Sequence, residues 1–301
     1  MDLLRAAQNN TPKPKVSLKR KLIALFSNIR GFNILLLVSA QVLASIFIFA
    51  SETPWTEVLK DVNLLIIVIS TLCVVAAGYI INNFYDYEAD LIHRPYKTSL
   101  EDSLDQSTKL RLYFFLNCMG FGAAFLISWR AALFFACYIF FIWLYSHKLK
   151  SYPIMGFLSA AVLQMLPFFV IFIYYRNFST IIFAHASFLF FMVLMKELIK
   201  GLEKSDGDEV LNKSSLAVVY GDRFAKVLFT LLTILMISPL YYLLNIEPIG
   251  DMKYYFYLAY ISLIGLNIML WSTHNTAWYL HIHNVIRLLL FLGVFSICLL
   301  N

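Results

Sequence analysis

Asn82, Asp86 and Asp90 stand four residues apart in the stretch NNFYDYEADLIHRP, which follows the nearly uncharged run VNLLIIVISTLCVVAAGYII. On a helix each step of four turns the side chain by only about 40°, so an amide oxygen and two carboxylates line one face. A carboxylate near hydrocarbon costs about 2.5–3.5 kcal/mol on insertion scales, so two on one stripe demand a compensating cation. Magnesium suits the stripe, because it takes hard oxygen ligands and leaves positions for water and substrate phosphates. The bland alternative is a solvated helix end that has emerged from the membrane, and the ordered triplet argues against it.

A second cluster, KELIKGLEKSDGDEV from Lys196 to Val210, interleaves Glu197, Glu203, Asp206 and Asp208 with Lys196, Lys200 and Lys204. Taken alone it reads as helix-surface ion pairs. Taken with the first cluster, two acid groups could face each other across a bundle cavity, a geometry suited to a diphosphate held by metal bridges. Such a leaving group also needs cations as its charge develops. Arg94, Lys97, Lys148, Lys150 and Lys200 are available, and Arg94 stands out because HRP sets a turn just beyond the acidic stripe.

The elements that position these residues are membrane spans. The 301 residues are 60% hydrophobic and 14% charged, which excludes a water-soluble core. Apolar runs fall near 31–50, 62–85, 109–129, 131–146, 153–175, 179–200, 223–246, 253–272 and 285–300. The fold class is therefore all-α, a polytopic membrane bundle of about nine helices around a central cavity. Residues 1–30 read as a cytoplasmic basic segment with an interfacial helix, and 31–301 as one transmembrane domain. With nine spans and the N-terminus inside, all of the 24 basic residues except Lys60, Arg130, Arg176 and Lys253 fall on the cytoplasmic side. Cys73, Cys118, Cys137 and Cys298 lie in apolar runs without pairing or metal-ligand spacing. His274, His281 and His283 read as interfacial residues of the last inner loop. The 27 Phe and 18 Tyr could line a tunnel for an isoprenoid, although aromatic spans also serve as packing and interface belts.

NNFYDYEADLIHRP resembles the NDxxDxxxD signature of the UbiA superfamily of intramembrane prenyltransferases, and KGLEKSDGDEVLNKSSLAVVYG resembles its second, acid-rich motif. The likeness covers essentially the whole chain: both motifs follow an even-numbered span, Arg30 and Asn33 open the first helix, and YSHKLK follows the fourth. In wording it is nearest to bacterial members described as geranylgeranylglycerol-phosphate geranylgeranyltransferase-like. The resemblance implies Mg²⁺-dependent transfer of a polyprenyl group from its allylic diphosphate, geranylgeranyl diphosphate foremost, to a small aromatic or glycerol-phosphate acceptor. It implies a bacterial inner-membrane enzyme of lipid or quinone biosynthesis with its active site toward the cytoplasm, and no nucleic-acid partner.

Carried over by residue, the resemblance implies metal binding by Asn82, Asp86 and Asp90, with Glu203 and Asp208 opposite. It implies catalytic roles for Asp86, Asp90, Arg94, Lys148 and Lys200, and substrate contacts from Arg30, Asn33, Arg94, Lys148, Lys200 and Lys204. The chain departs from the pattern at Asn83, Gly201 and Lys204, which stand where the family usually has Asp, and at Ala217, which replaces a Pro. Losing two acids and gaining a lysine weakens any metal in the second motif by Coulomb reasoning. A catalytically impaired homologue that binds prenyl diphosphate is one rival reading. A secondary transporter is another, disfavoured because transporters place ionisable groups near the midplane, whereas these acids sit at helix ends.

Overall fold

A computed structural model of the chain describes residues 17–211, 213–245, 249–273 and 275–300; His274 and the first sixteen residues of the basic segment lie outside them. A first helix, α1 (Leu18–Asn28), is capped by Ser17, whose hydroxyl accepts from the Arg20 N–H at 3.3 Å. It leaves Leu18, Leu22, Ile23 and Phe26 exposed beside Lys19, Arg20 and Lys21.

The bundle follows. α2 (Gly31–Ala44) runs on through a π turn, Ser45–Phe49, and a short α3 (Trp55–Lys60) leads to α4 (Val62–Tyr85). Two short helices, α5 (Tyr87–His93) and α6 (Pro95–Glu101), precede α7 (Gln106–Ile127) and α8 (Trp129–His147). Next come α9 (Pro153–Tyr175) and the 31-residue α10 (Thr180–Val210). The chain ends with α11 (Leu216–Leu235), α12 (Ile237–Asn245), α13 (Met252–Trp271) and α14 (Thr276–Ser296). Among the described residues nine helical stretches are long and apolar enough to cross a membrane, and none is a strand.

Local chemistry sets the ends. Asp61 caps α4, Asp105 caps α7, Ser128 caps α8 and Asn275 caps α14, each accepting a backbone N–H of the first turn. Ser128 in extended conformation separates α7 from α8, so the third and fourth apolar runs form two distinct helices. Pro167 inside α9 cannot donate to the Leu163 carbonyl one turn earlier. The Tyr138 hydroxyl of α8 donates there at 3.1 Å, supplying the bond that the proline removes.

α10 is the hub. It packs against α9, α11, α12 and α14 and touches α5, while α4 packs chiefly on α7 and α8. Met192, Met195 and Ile199 of α10 are wholly buried, with Phe135, Ile171, Phe229 and Ile286 from its surroundings. Large apolar side chains such as Phe125, Ile261 and Leu288 are exposed instead, an outward apolar surface fit for lipid.

Three boundaries differ by more than three residues from the hydropathy pattern, one of them the start of α11 at Leu216 rather than near 223. α10 continues ten residues past the apolar run, so the second acidic cluster lies on its last turns. α14 begins at Thr276 rather than near 285, which moves His281 and His283 from a loop onto a helix. The polar HIHN stretch depresses local hydropathy, but the Asn275 cap and a bond from His283 to α10 hold it helical.

Candidate active site

The helical ladder runs almost unbroken through the first motif. Asp86 sits between α4 and α5 at φ −93°, ψ 4°, yet its N–H reaches the Asn82 carbonyl at 2.9 Å. The Asp90 N–H reaches the Asp86 carbonyl at 2.8 Å, and the Arg94 N–H reaches Asp90 at 2.8 Å. Asn82 Nδ2 donates to Asp86 Oδ2 at 2.9 Å, so those two side chains do meet. Asn83, next in sequence, is buried and donates to the Asn28 carbonyl at 3.0 Å, tying α4 to α1 and leaving the stripe. The Asp90 carboxylate makes no direct hydrogen bond or salt bridge among the described residues; its backbone is engaged instead, the carbonyl accepting from Thr98 Oγ1 at 3.0 Å as well as from the Arg94 N–H.

Lysines from two other segments close on Asp86. Lys150 Nζ lies 2.8 Å from Asp86 Oδ1, and Lys213 Nζ 3.7 Å from it. Burial pushes the Asp86 carboxyl up, but Lys150 in contact, with Lys213 and Lys204 farther off, outweighs it and holds the group below the usual carboxylate range. Lys148, the lysine favoured by sequence, is exposed at the C-cap of α8 and has no such contact. A 3-10 turn, Leu149–Ser151, swings Lys150 inward. Gly156 permits it, since a Cβ there would come within 3.0 Å of the Lys150 backbone.

The opposite wall is α10. Glu197 is flanked by Lys200 at 2.7 Å and Lys196 at 3.5 Å, and accepts from Gln164 Nε2 of α9 at 3.0 Å. Glu203 bonds His283 Nδ1 of α14. Asp208 meets His93 Nε2 of α5 at 3.1 Å. Gly207 makes that contact possible, because a Cβ on it would lie 2.4 Å from the His93 ring. Five residues apart, Glu203 and Asp208 point about 140° apart around the helix. The structure therefore does not bring them together, nor onto one point with Asp86 and Asp90. Asp206 is exposed. Lys204 is half-buried within electrostatic reach of Asp86, Asp90, Arg94 and Lys200.

Arg30 adopts a left-handed backbone, φ 52°, between α1 and α2, with its guanidinium 5.0 Å from the Tyr79 ring. Its Nε is buried without a partner. Arg94 is half-buried and within electrostatic reach of Glu203 and Lys204. Lys97, on α6, is held below the ordinary lysine range by burial and by Arg30 and Arg94, against the opposing pull of Glu101. Asn33, by contrast, is exposed on α2.

This arrangement fits one hard divalent cation on the α4–α5 side. The donors are oxygens, the Asp90 carboxylate is uncommitted, and Asn82 keeps its carbonyl oxygen because its nitrogen faces Asp86. No three acidic, His or Cys side chains form a ready-made cage among the described residues, but Mg²⁺ is ordinarily held by one or two carboxylates with water and substrate phosphate. An apolar 170 Å³ pocket under α1, lined by Leu25, Ile80 and Leu112, lies apart from this cluster, as does a 440 Å³ groove between α10 and α12. Sequence reasoning did not single out Lys213, Gln164, His93 or the His283 partnership, and ranked Lys148 above Lys150. Only the HRP turn and the YSHKLK cluster carried any signal for them.

Nine span-length apolar helices among the described residues, with carboxylates and cations gathered where two of them end, define an integral membrane protein. The chain belongs to the UbiA prenyltransferase family, whose model matches residues 38–295. It is 29% identical over 209 residues to the digeranylgeranylglyceryl phosphate synthase of Saccharolobus solfataricus, spanning 67% of this chain and 73% of that one. Its counterpart from Archaeoglobus fulgidus is 30% identical over 242 residues, 79% of this chain and 80% of its own. The fold matches a UbiA homologue from Archaeoglobus fulgidus solved with DMAPP and Mg²⁺, at TM-score 0.66 and 15% identity over 91% of this chain and 98% of the other.

Proposed function

We propose that the protein transfers a prenyl group, geranylgeranyl foremost, from its allylic diphosphate to a glycerol-phosphate-type acceptor within the membrane, with Mg²⁺. The carrying observation is the row Asn82, Asp86, Asp90 facing a lysine-rich α10 in a chain of this family. The acceptor class is supported by the names of the relatives, and Mg²⁺ with an allylic diphosphate by the ligands of the structural neighbour.

In this reading Asn82, Asp86 and Asp90 hold the metal, which when bound supplies Lewis-acid neutralisation of the diphosphate. Lys150 and Lys213 orient Asp86 and, with Arg94 and Lys204, meet the diphosphate oxygens. The allylic C–O bond breaks with its electron pair left on the diphosphate, and these cations stabilise that charge. The acceptor oxygen then forms the new C–O bond to the allylic carbon, and its proton leaves with the diphosphate. Apolar helix faces carry the prenyl tail. The basic bias of alternate loops supports an N-terminus and active site on the cytoplasmic side, with α1 lying in that interface.

The test is Mg²⁺-dependent release of diphosphate from labelled geranylgeranyl diphosphate by the purified protein, with geranylgeranylglyceryl phosphate as acceptor, beside Asp86→Ala. Release that needs both Mg²⁺ and Asp86 is the expected result. Binding of the labelled substrate without release would favour an impaired homologue, a reading that Gly201 and Lys204 motivate. Absence of both would overturn the assignment. Orientation is checked by labelling single cysteines placed near each terminus with a membrane-impermeant reagent.

A further inference from the structure

Lys204 stands on α10 between two acids that are each held by a histidine. Glu203 is taken by His283 of α14, and Asp208 by His93 of α5 at 3.1 Å. The Lys204 ammonium makes no direct hydrogen bond or salt bridge among the described residues, yet lies within electrostatic reach of Asp86 and Asp90 on the facing wall. One turn earlier, Gly201 leaves open space: a Cβ built there meets nothing within 4 Å. The wall opposite Asn82, Asp86 and Asp90 thus offers a cation and a gap where a second metal would need oxygen ligands.

We propose that Lys204 takes the electrostatic place of a second divalent cation, so that this chain binds its diphosphate with a single metal. The inference rests on the prenyl-diphosphate reading above. One divalent ion cancels the charges of Asp86 and Asp90. The negative charge of the diphosphate then falls to Lys204, supported by Lys150, Lys213 and Arg94. An ammonium suits that place because it is a compact point charge with three rotatable donors and needs no protein ligands behind it. Glu203 and Asp208 are thereby released from metal binding and act as ties from α10 to α14 and α5. The same arrangement gives Gly201 a meaning: an acid there would draw the Lys204 ammonium back along α10 and away from the diphosphate.

The experiment counts metal. The full-length protein, in detergent, is saturated with an unreactive thiolodiphosphate analogue of geranylgeranyl diphosphate, and bound Mn²⁺ is counted by equilibrium dialysis and electron paramagnetic resonance. One Mn²⁺ per bound analogue is expected. Lys204→Met should weaken analogue binding by at least about tenfold with the count unchanged, and Lys204→Arg should restore most of the affinity. The double variant Gly201→Asp with Lys204→Asp should bind two. Thermal melting in the same detergent shows that each variant is folded. Two Mn²⁺ in the unaltered protein, undiminished affinity in Lys204→Met, or a double variant that stays at one would each overturn the inference. Failure of the unaltered protein to bind the analogue at all would instead overturn the prenyl-diphosphate reading on which it rests.

Discussion

Lys150 Nζ and Asp86 Oδ1 lie 2.8 Å apart, although 64 residues separate them and Lys148 is the lysine nearer the end of α8. The pair joins the 3-10 turn after α8 to the junction of α4 and α5, with both side chains largely shielded from solvent. It therefore positions the carboxylate most central to the proposed metal site.

Lys150→Ala should lower kcat/KM for prenyl-diphosphate turnover by about 100-fold, the scale seen when one preorganised charge-stabilising donor is removed. Lys148→Ala should leave it within about twofold, because that side chain is exposed and contacts none of the cluster. Diphosphate-release kinetics on both variants decide between them.

Asp86 should not govern activity near neutral pH. Its folded pKa lies below the unfolded value of about 3.9, so the stability it contributes is fully present above about pH 4. That stability is lost only as pH falls through the lower folded value. Melting temperature measured from pH 7 down to pH 3 should show no step from this group above pH 4 in the unaltered protein. Lys150→Met should move its titration upward.

Asp90→Asn removes a carboxylate that no direct bond engages, so the melting temperature without metal should stay within a degree or two of the unaltered protein. The Mg²⁺ concentration giving half-maximal activity should rise by at least about tenfold, roughly 1.4 kcal/mol. Magnesium titrations beside melting curves separate that loss of a ligand from a loss of fold.

Gly207→Ala forces a Cβ to within 2.4 Å of the His93 ring and should break the bond from His93 to Asp208. Overpacking of this kind costs about 1–3 kcal/mol. His93→Ala in the same chain should recover part of that loss, since the collision is then gone, and the four-member cycle of unfolding measurements reads out the coupling.

Tyr138→Phe should destabilise the bundle by about 0.6–1.7 kcal/mol, the range for interhelical hydrogen bonds in membranes. In a Pro167→Ala background the Leu163 carbonyl regains its own helical N–H, so the same change should cost far less. Equal costs in both backgrounds would mean that the hydroxyl does not compensate for the proline.

About nine spans, and the row Asn82, Asp86, Asp90 at the end of the second, were legible in the sequence. Each follows from local regularities: runs long enough for hydrocarbon, and a four-residue step that any helix converts into a stripe. Even the ninth span was misjudged only where HIHN interrupts its hydropathy. Tertiary structure alone decided which charges meet. Whether Lys148 or Lys150 faces Asp86 depends on a 3-10 turn pressed against Gly156, and neither lysine differs in kind. Glu203 and Asp208 look in sequence like two members of one acidic site, but five residues of helix separate their directions and two histidines from distant helices claim them. Electrostatic partners at this range are set by a few ångströms between helices far apart in the chain, a distance that no local pattern encodes.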